Sequence, residues 1–249
     1  MPILSEPFVS ALADGERSVA LDLGVPGGPM LIAFGGLAGA MAIPPFEFFG
    51  ATSDLPVNRV FVRDPQGSWY HRGAPGLGAT IDEVARSLRE LIDQVRPSRV
   101  VTTGSCAGGY AALLFGSLIG VDTVVAFAPR TYLGRGQRVR HLDHRAIREM
   151  WHVYDRRVGD RRYFDLKPIM ASLAASSNGD RRVHVSTANR LDLANARRLR
   201  GLPGVRVREH AVGGHRLVRA LRDSGELGPI LQDALFGANA SVVAEPVPA

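Results

Sequence analysis

Two hydrophobic rhythms alternate along this chain. Short β-rich apolar runs predict strands at "SVALDLGV" (18–25), "MLIAFGGL" (30–37), "RVFVRD" (59–64), "RVVTTG" (99–104), "DTVVAFAP" (122–129), "RRVHVSTA" (181–188) and "VRVREHAV" (205–212). Between them lie stretches with helical spacing. Over 80–95, Ile81, Val84, Ala85, Leu88, Leu91, Ile92 and Val95 share one face. Thr80 and Glu83 make a capping-box pattern at its start, and Pro97 follows its end. Residues 107–120, 191–201 and 215–236 read as further helices. The alternation predicts an α/β fold, a mainly parallel twisted sheet flanked by helices on both faces. The Pro-Gly-Gly turn at 26–28 predicts that the first two strands pair antiparallel at one edge. Residues 130–178 interrupt the rhythm and are expected to form a small helical cap over the carboxyl ends of the strands. The expected organisation is one domain over 1–236 with that insertion, and a flexible tail over 237–249.

Composition narrows the class. At 249 residues with 45% hydrophobic content, the chain can bury a substantial core. No run of about 20 apolar residues is free of charges or glycine breaks, and no basic n-region opens the sequence. One cysteine excludes an internal disulfide. A cytoplasmic protein without membrane attachment is expected. The net charge is +6, and Lys167 is the only lysine, so nearly all of the positive charge is arginine. Residues 130–162 hold ten arginines against Asp143, Glu149, Asp155 and Asp160, a local excess as large as that of the whole chain.

The chemistry concentrates at "TTGSCAGGY" (102–110), a predicted strand-to-helix junction. A very sharp turn there lifts one side chain above the sheet and demands small residues two positions before and two after it. Gly104 and Gly108 meet that demand around Cys106; around Ser105 the matching residues are Thr103 and Ala107, a poorer fit. Cys106 is therefore the expected nucleophile and Ser105 a filler. A buried structural cysteine is the plain alternative.

This Gly-Ser-Cys-Ala-Gly elbow resembles that of the α/β-hydrolase fold superfamily, over about residues 18–236. It is similar in particular to small acyl hydrolases of the dienelactone-hydrolase type, which carry cysteine where serine is usual. The resemblance implies a triad in the order nucleophile, acid, histidine. Of seven histidines, His215 alone follows the last predicted strand, in "VGGH", where the superfamily places its base. Asp192, in "STANRLDLANARRL", follows the penultimate strand and is the candidate acid; it would also serve as a helix N-cap. Asp165, Asp180 and Glu209 are lesser candidates. The oxyanion hole is expected from the backbone N–H of Ala107 and of Gly36 or Leu37, in the loop "FGGLAG" (34–39).

These residues imply an acyl hydrolase, an esterase or thioesterase working through a thioester acyl-enzyme. Transfer of a carrier- or CoA-bound acyl group to another acceptor, or cyclisation, is the first alternative. A non-catalytic binding protein is the second. No cofactor or metal is expected: "HLDH" (141–144) with His152 lacks a supporting carboxylate pattern. Trp69, Tyr70 and His71 follow a strand end and are candidate substrate-lining residues. The expected ligand is a small-molecule ester or thioester. An acidic acyl-carrier protein is a partner that the arginine-rich cap would suit, unless its arginines simply pair with nearby acids. Nucleic acid is not expected, since no aromatic interleaving or recognition motif accompanies the arginines.

Overall fold

The computed structural model describes residues 17–37, 47–155, 157–174 and 179–237. Residues 1–16, 38–46 (which include the last two residues of the expected oxyanion loop, 38–39), 156, 175–178 and the expected tail beyond 237 lie outside the described residues. Seven strands, β1 (Val19–Asp22), β2 (Met30–Phe34), β3 (Asn58–Val62), β4 (Val100–Ser105), β5 (Thr123–Phe127), β6 (Asp180–Ser186) and β7 (Val205–His210), form one sheet in the order β1-β3-β2-β4-β5-β6-β7. All neighbours are parallel except β1, which runs antiparallel to β3.

Every residue of β2, β3 and β5 is buried. Such strands are covered on both faces, which is why they read as continuous apolar runs. Alternate residues of one strand feed two cores. Met30, Ile32 and Phe34 pack with α2 (Ile81–Val95) and α3 (Ala107–Ile119), while Leu31 and Ala33 pack against the short α1 (Glu47–Gly50), α8 (Leu217–Asp223) and α9 (Leu227–Phe236).

The expected hairpin between the first two strands does not form: β1 pairs with β3, not with β2. Charge and burial explain the difference. Arg59 on β3 is 1% exposed and lies opposite Asp22, with Nη1 2.7 Å from the carboxylate. A buried guanidinium needs such a partner, and β1 supplies it. The fully buried β2 is flanked by β3 and β4, leaving the half-exposed β1 for the edge. Buried Asn58 holds the crossing turn by donating to the Val25 carbonyl (2.7 Å) and accepting from the Val25 N–H (3.1 Å).

Helix α2 starts as its sequence implies, with one change. Thr80 Oγ1 accepts from the Glu83 N–H, but the Glu83 carboxylate reaches back to the Ala79 N–H, one residue earlier than a standard box. The stretch 215–236 is not one helix: α8 and α9 are separated around Gly225, whose φ is +78°.

Between β5 and β6 run the short helices α4 (Arg135–Arg140) and α5 (Ile147–Tyr154), a 3-10 turn at Arg161–Tyr163, and α6 (Leu166–Ala174). Leu166 and Met170 of α6 join the core beside α3. The part that departs from the layered pattern is therefore the stretch before Leu166. Helix α7 (Arg190–Arg197) connects β6 to β7.

The junction of β4 and α3 is a very close backbone contact. A Cβ on Gly104 would stand 2.2 Å from the Gly108 carbonyl oxygen, and one on Gly108 would stand 2.1 Å from that of Phe34. Both obstacles are backbone. Gly108→Ala is expected to destabilise the protein by about 2 kcal/mol or more, read as a lower urea midpoint with an unchanged slope.

Candidate active site

Cys106 stands at the turn between β4 and α3 with φ +54° and ψ −110°. This is a costly backbone for a residue with a Cβ. Its peptide is pinned from both sides: the N–H donates to Phe127 O (3.0 Å), and its carbonyl accepts from Tyr110 N (3.0 Å) and Arg130 N (3.4 Å). The thiol is free and half-buried. Ser105 is the last residue of β4, paired in register with Phe127.

His215 arrives from the loop after β7. Gly213, at φ +86°, turns the chain, and the N–H of Gly214 donates to Ser186 Oγ (3.1 Å) at the end of β6. The ring's Nδ1 lies 2.6 Å from Asp192 Oδ2. Hydrogen bonding to Asp192, then to Cys106, raises the His215 pKa to about 10 against the opposing effect of burial. With Nδ1 taken by Asp192, Nε2 is the nitrogen left for Cys106. The structure thus brings Cys106, His215 and Asp192 together in one chain of contacts.

Asp192 is 1% exposed. It does not cap α7. Asn189 does, accepting from the N–H groups of Leu191 (3.1 Å) and Asp192 (3.0 Å). The Asp192 carboxylate is thereby left for His215 on one oxygen and for Arg145 Nη1 on the other, at 2.5 Å. Arg145 is itself gripped by Asp143 through Nε and Nη2, both at 3.0 Å, and Asp143 also meets Arg130 at 3.3 Å. The lesser acid candidates are engaged elsewhere: Asp165 with Arg198, Asp180 with Arg182 and Arg206, Glu209 with Arg197 and Arg200.

Ala107 opens α3, where N–H groups have no helical acceptor. Gly36 lies over the elbow, its hypothetical Cβ 3.7 Å from Ser105 O, and Leu37 packs half-buried beside it. Among the described residues, no intramolecular hydrogen bond occupies the N–H of Ala107, Gly36 or Leu37.

Trp69, Tyr70 and His71 are all buried. The Tyr70 hydroxyl donates to Gly35 O (2.8 Å) and so braces the loop that carries Gly36. His71 accepts from Asp160 N at Nδ1 (3.1 Å) and meets the Tyr110 hydroxyl at Nε2 (3.3 Å). It also reaches a cavity of about 560 Å³ shared with Gln66, Arg72, Thr80, Asp155 and Arg157, which none of Cys106, Asp192 or His215 lines. Trp69 carries the Arg130 guanidinium over its ring at 5.0 Å, and its Nε1 has no partner among the described residues.

Sequence reasoning missed Asn189, Ser186 and Arg145. Asn189 was readable, since Asn three residues before an acid is a capping pattern. Arg145 was not, because nothing in a run of ten arginines marks the one that reaches the acid.

No protein-family model matches the sequence, and neither does any curated protein. Solved structures do. The capsule O-acetyltransferase of Neisseria meningitidis serogroup A superposes with a TM-score of 0.63 at 14% identity, over 86% of this chain and 90% of that one. MenH from S. aureus gives 0.56 at 12%, over 88% and 97%. The 2,6-dihydroxy-pseudo-oxynicotine hydrolase gives 0.62 at 12%, over 88% of this chain and 64% of its own. The fold is the α/β-hydrolase fold. In that fold, Cys106 occupies the turn where strand meets helix.

Burial also makes this part of the fold acid-sensitive. It lowers the pKa of His71 from 6.5 to about 4 and that of His184 to about 3. The folded state resists a proton that the unfolded chain accepts, so stability is full above about 6.5 and falls as pH drops toward 4. Denaturation across that window is expected to show a shallower pH slope for His71→Gln.

Proposed function

We propose that this protein is an acyl-transferring enzyme of the esterase or thioesterase type. Its nucleophile is Cys106, its base and acid His215, and its orienting carboxylate Asp192. The observation that carries this reading is the strained, positive-φ Cys106 backbone at the strand-helix turn, beside a histidine whose Nδ1 lies 2.6 Å from a buried aspartate. The raised His215 pKa supports it, because so basic a ring can take the thiol proton and later return it. Cys106 Sγ attacks the acyl carbon, and a thioester forms. The carbonyl oxygen takes negative charge between the N–H groups of Ala107 and of Gly36 or Leu37. His215 delivers its proton to the departing alcohol or thiol. It then takes a proton from the acceptor that releases the acyl group, while Asp192 holds the ring's orientation.

The acceptor is water in the simplest case. An alcohol acceptor is the second reading. The capsule O-acetyltransferase is named for acetyl transfer to oxygen, and one of its structures is in complex with CoA. The substrate is a small ester or thioester, free or carried by an acidic acyl-carrier protein. The protein works as one domain over 1–236, with its cap in the 130–178 insertion, in the cytoplasm.

Brief exposure to a small activated acyl thioester, followed by intact mass measurement and peptide mapping, tests the reading. One acyl mass on Cys106 is expected. Cys106→Ala is expected to remove both the adduct and turnover, with the fold intact by circular dichroism. An adduct on Ser105 would move the nucleophile by one residue. No adduct with several donors would point to the non-catalytic binding protein instead. Asp192→Asn is expected to lower kcat by about a hundredfold or more.

Arg145 acts through Asp192 as a positioning residue. Arg145→Gln is expected to leave Cys106 acylatable and to lower kcat by about tenfold. KM should change little, and Arg145→Lys should recover part of the loss. Unchanged kcat in Arg145→Gln would reduce this ion pair to a structural contact.

A further inference from the structure

Seven large apolar side chains stand exposed among the described residues, and four of them belong to one stretch between β5 and β6: Val139 (74%), Leu142 (80%), Ile147 (51%) and Trp151 (65%). They are spatially related. The Arg135 guanidinium lies 5.7 Å from the Trp151 ring and 4.5 Å from that of Tyr154, which sets the start of α4 against α5. Arg135 and Val139 are one turn apart on α4, as are Ile147 and Trp151 on α5. Met150 and Val153 of α5 face the core instead. Leu142 and Ala146, both at φ +51°, make the tight turns of the loop that joins the two helices.

The exposed charge around these side chains is mostly positive, with Asp155 at the end of α5 as an exposed acid. Arg135, Arg140 and Arg148 are exposed among them. Asp143 turns inward, fully buried against Arg130 and Arg145, and Glu149 is half-buried. The surface therefore presents apolar points in a field of guanidinium groups.

We propose that this face attaches the protein peripherally to an anionic lipid surface. The shape favours lipid over a protein partner. Val139, Leu142 and Trp151 protrude from two short helices and a loop, and the cavity of about 560 Å³ is lined by other residues. Separate apolar tips ringed by arginines suit a fluid interface. There an indole sits at headgroup depth, aliphatic side chains enter the acyl boundary and guanidinium groups meet phosphate. Among the described residues no helix is long and apolar enough to cross a membrane, so these side chains hold the protein on the surface. The loop with Leu142 and Ile147 on its outer side carries Arg145 inward onto Asp192. Attachment thus sets the proposed acyl-transfer site beside the membrane, although binding itself does not rest on that reading.

The test uses the full chain and vesicles of phosphatidylcholine, with and without phosphatidylglycerol. The chain has two tryptophans, of which Trp69 is 0% exposed and Trp151 65%. A blue shift of emission on adding vesicles therefore reports Trp151. The expected result is co-sedimentation with phosphatidylglycerol vesicles, weakened by salt, together with that blue shift. Trp151→Ser with Leu142→Ser is expected to weaken binding by about tenfold or more, with an unchanged urea midpoint. Absence of co-sedimentation at low salt, or equal binding by the double variant, would overturn the proposal. So would binding to polyglutamate in place of vesicles, which would identify an acidic protein as the partner. Because no turnover is read, failure of the acyl-transfer reading would leave this result standing.

Discussion

The close approach of β4 and α3 is the constraint on which the candidate site depends. Two glycines let the backbones meet where any Cβ would strike a carbonyl oxygen, and Cys106 is held between them at positive φ. That strain persists because the peptide is fixed by Phe127 on one side and Tyr110 on the other, both buried members of the two cores. The same contact brings the β2 loop down onto the elbow, so the turn that lifts the thiol also delivers the N–H groups of Gly36 and Leu37. One steric requirement thus arranges both the candidate nucleophile and the candidate oxyanion donors.

Asp192 is the second organising point. It is buried, and its two oxygens are divided between His215 and Arg145. The first bond stabilises a charged imidazole. The second fixes the carboxylate from the opposite side and anchors the β5–β6 segment to the α7 end of the sheet. Asn189 makes this division possible by taking over the cap of α7. The segment that carries Arg145 therefore has two faces: an inner one of paired charges, Asp143 with Arg130 and Arg145, and an outer one of apolar side chains and unburied arginines.

The layered fold was legible in the sequence because its signals are local. Parallel strands buried on both faces are apolar at most positions, and the surface helices must alternate. The elbow was legible for the same reason, since a steric rule within five residues shows in Gly104, Cys106 and Gly108. His215 and Asp192 were found by their order along the chain, and their 2.6 Å contact is a tertiary fact. The pairing of β1 was misread, because a turn sequence at 26–28 says nothing of Arg59, whose buried charge draws Asp22 to β3. Trp69, Tyr70 and His71 read as candidate substrate-lining residues; what no local pattern shows is that Tyr70 and His71 brace neighbouring loops.

By itself, then, the sequence determined the rhythm of strands and helices, the sharp turn at Cys106 and the supply of a candidate acid and base after it. These follow from periodicity and from steric limits between near neighbours. Only the tertiary structure decided which arginine holds Asp192, where β1 pairs and which side chains of the 139–151 stretch face outward. Each of those depends on a charge or a surface finding its partner across tens of residues, and no local pattern encodes that distance.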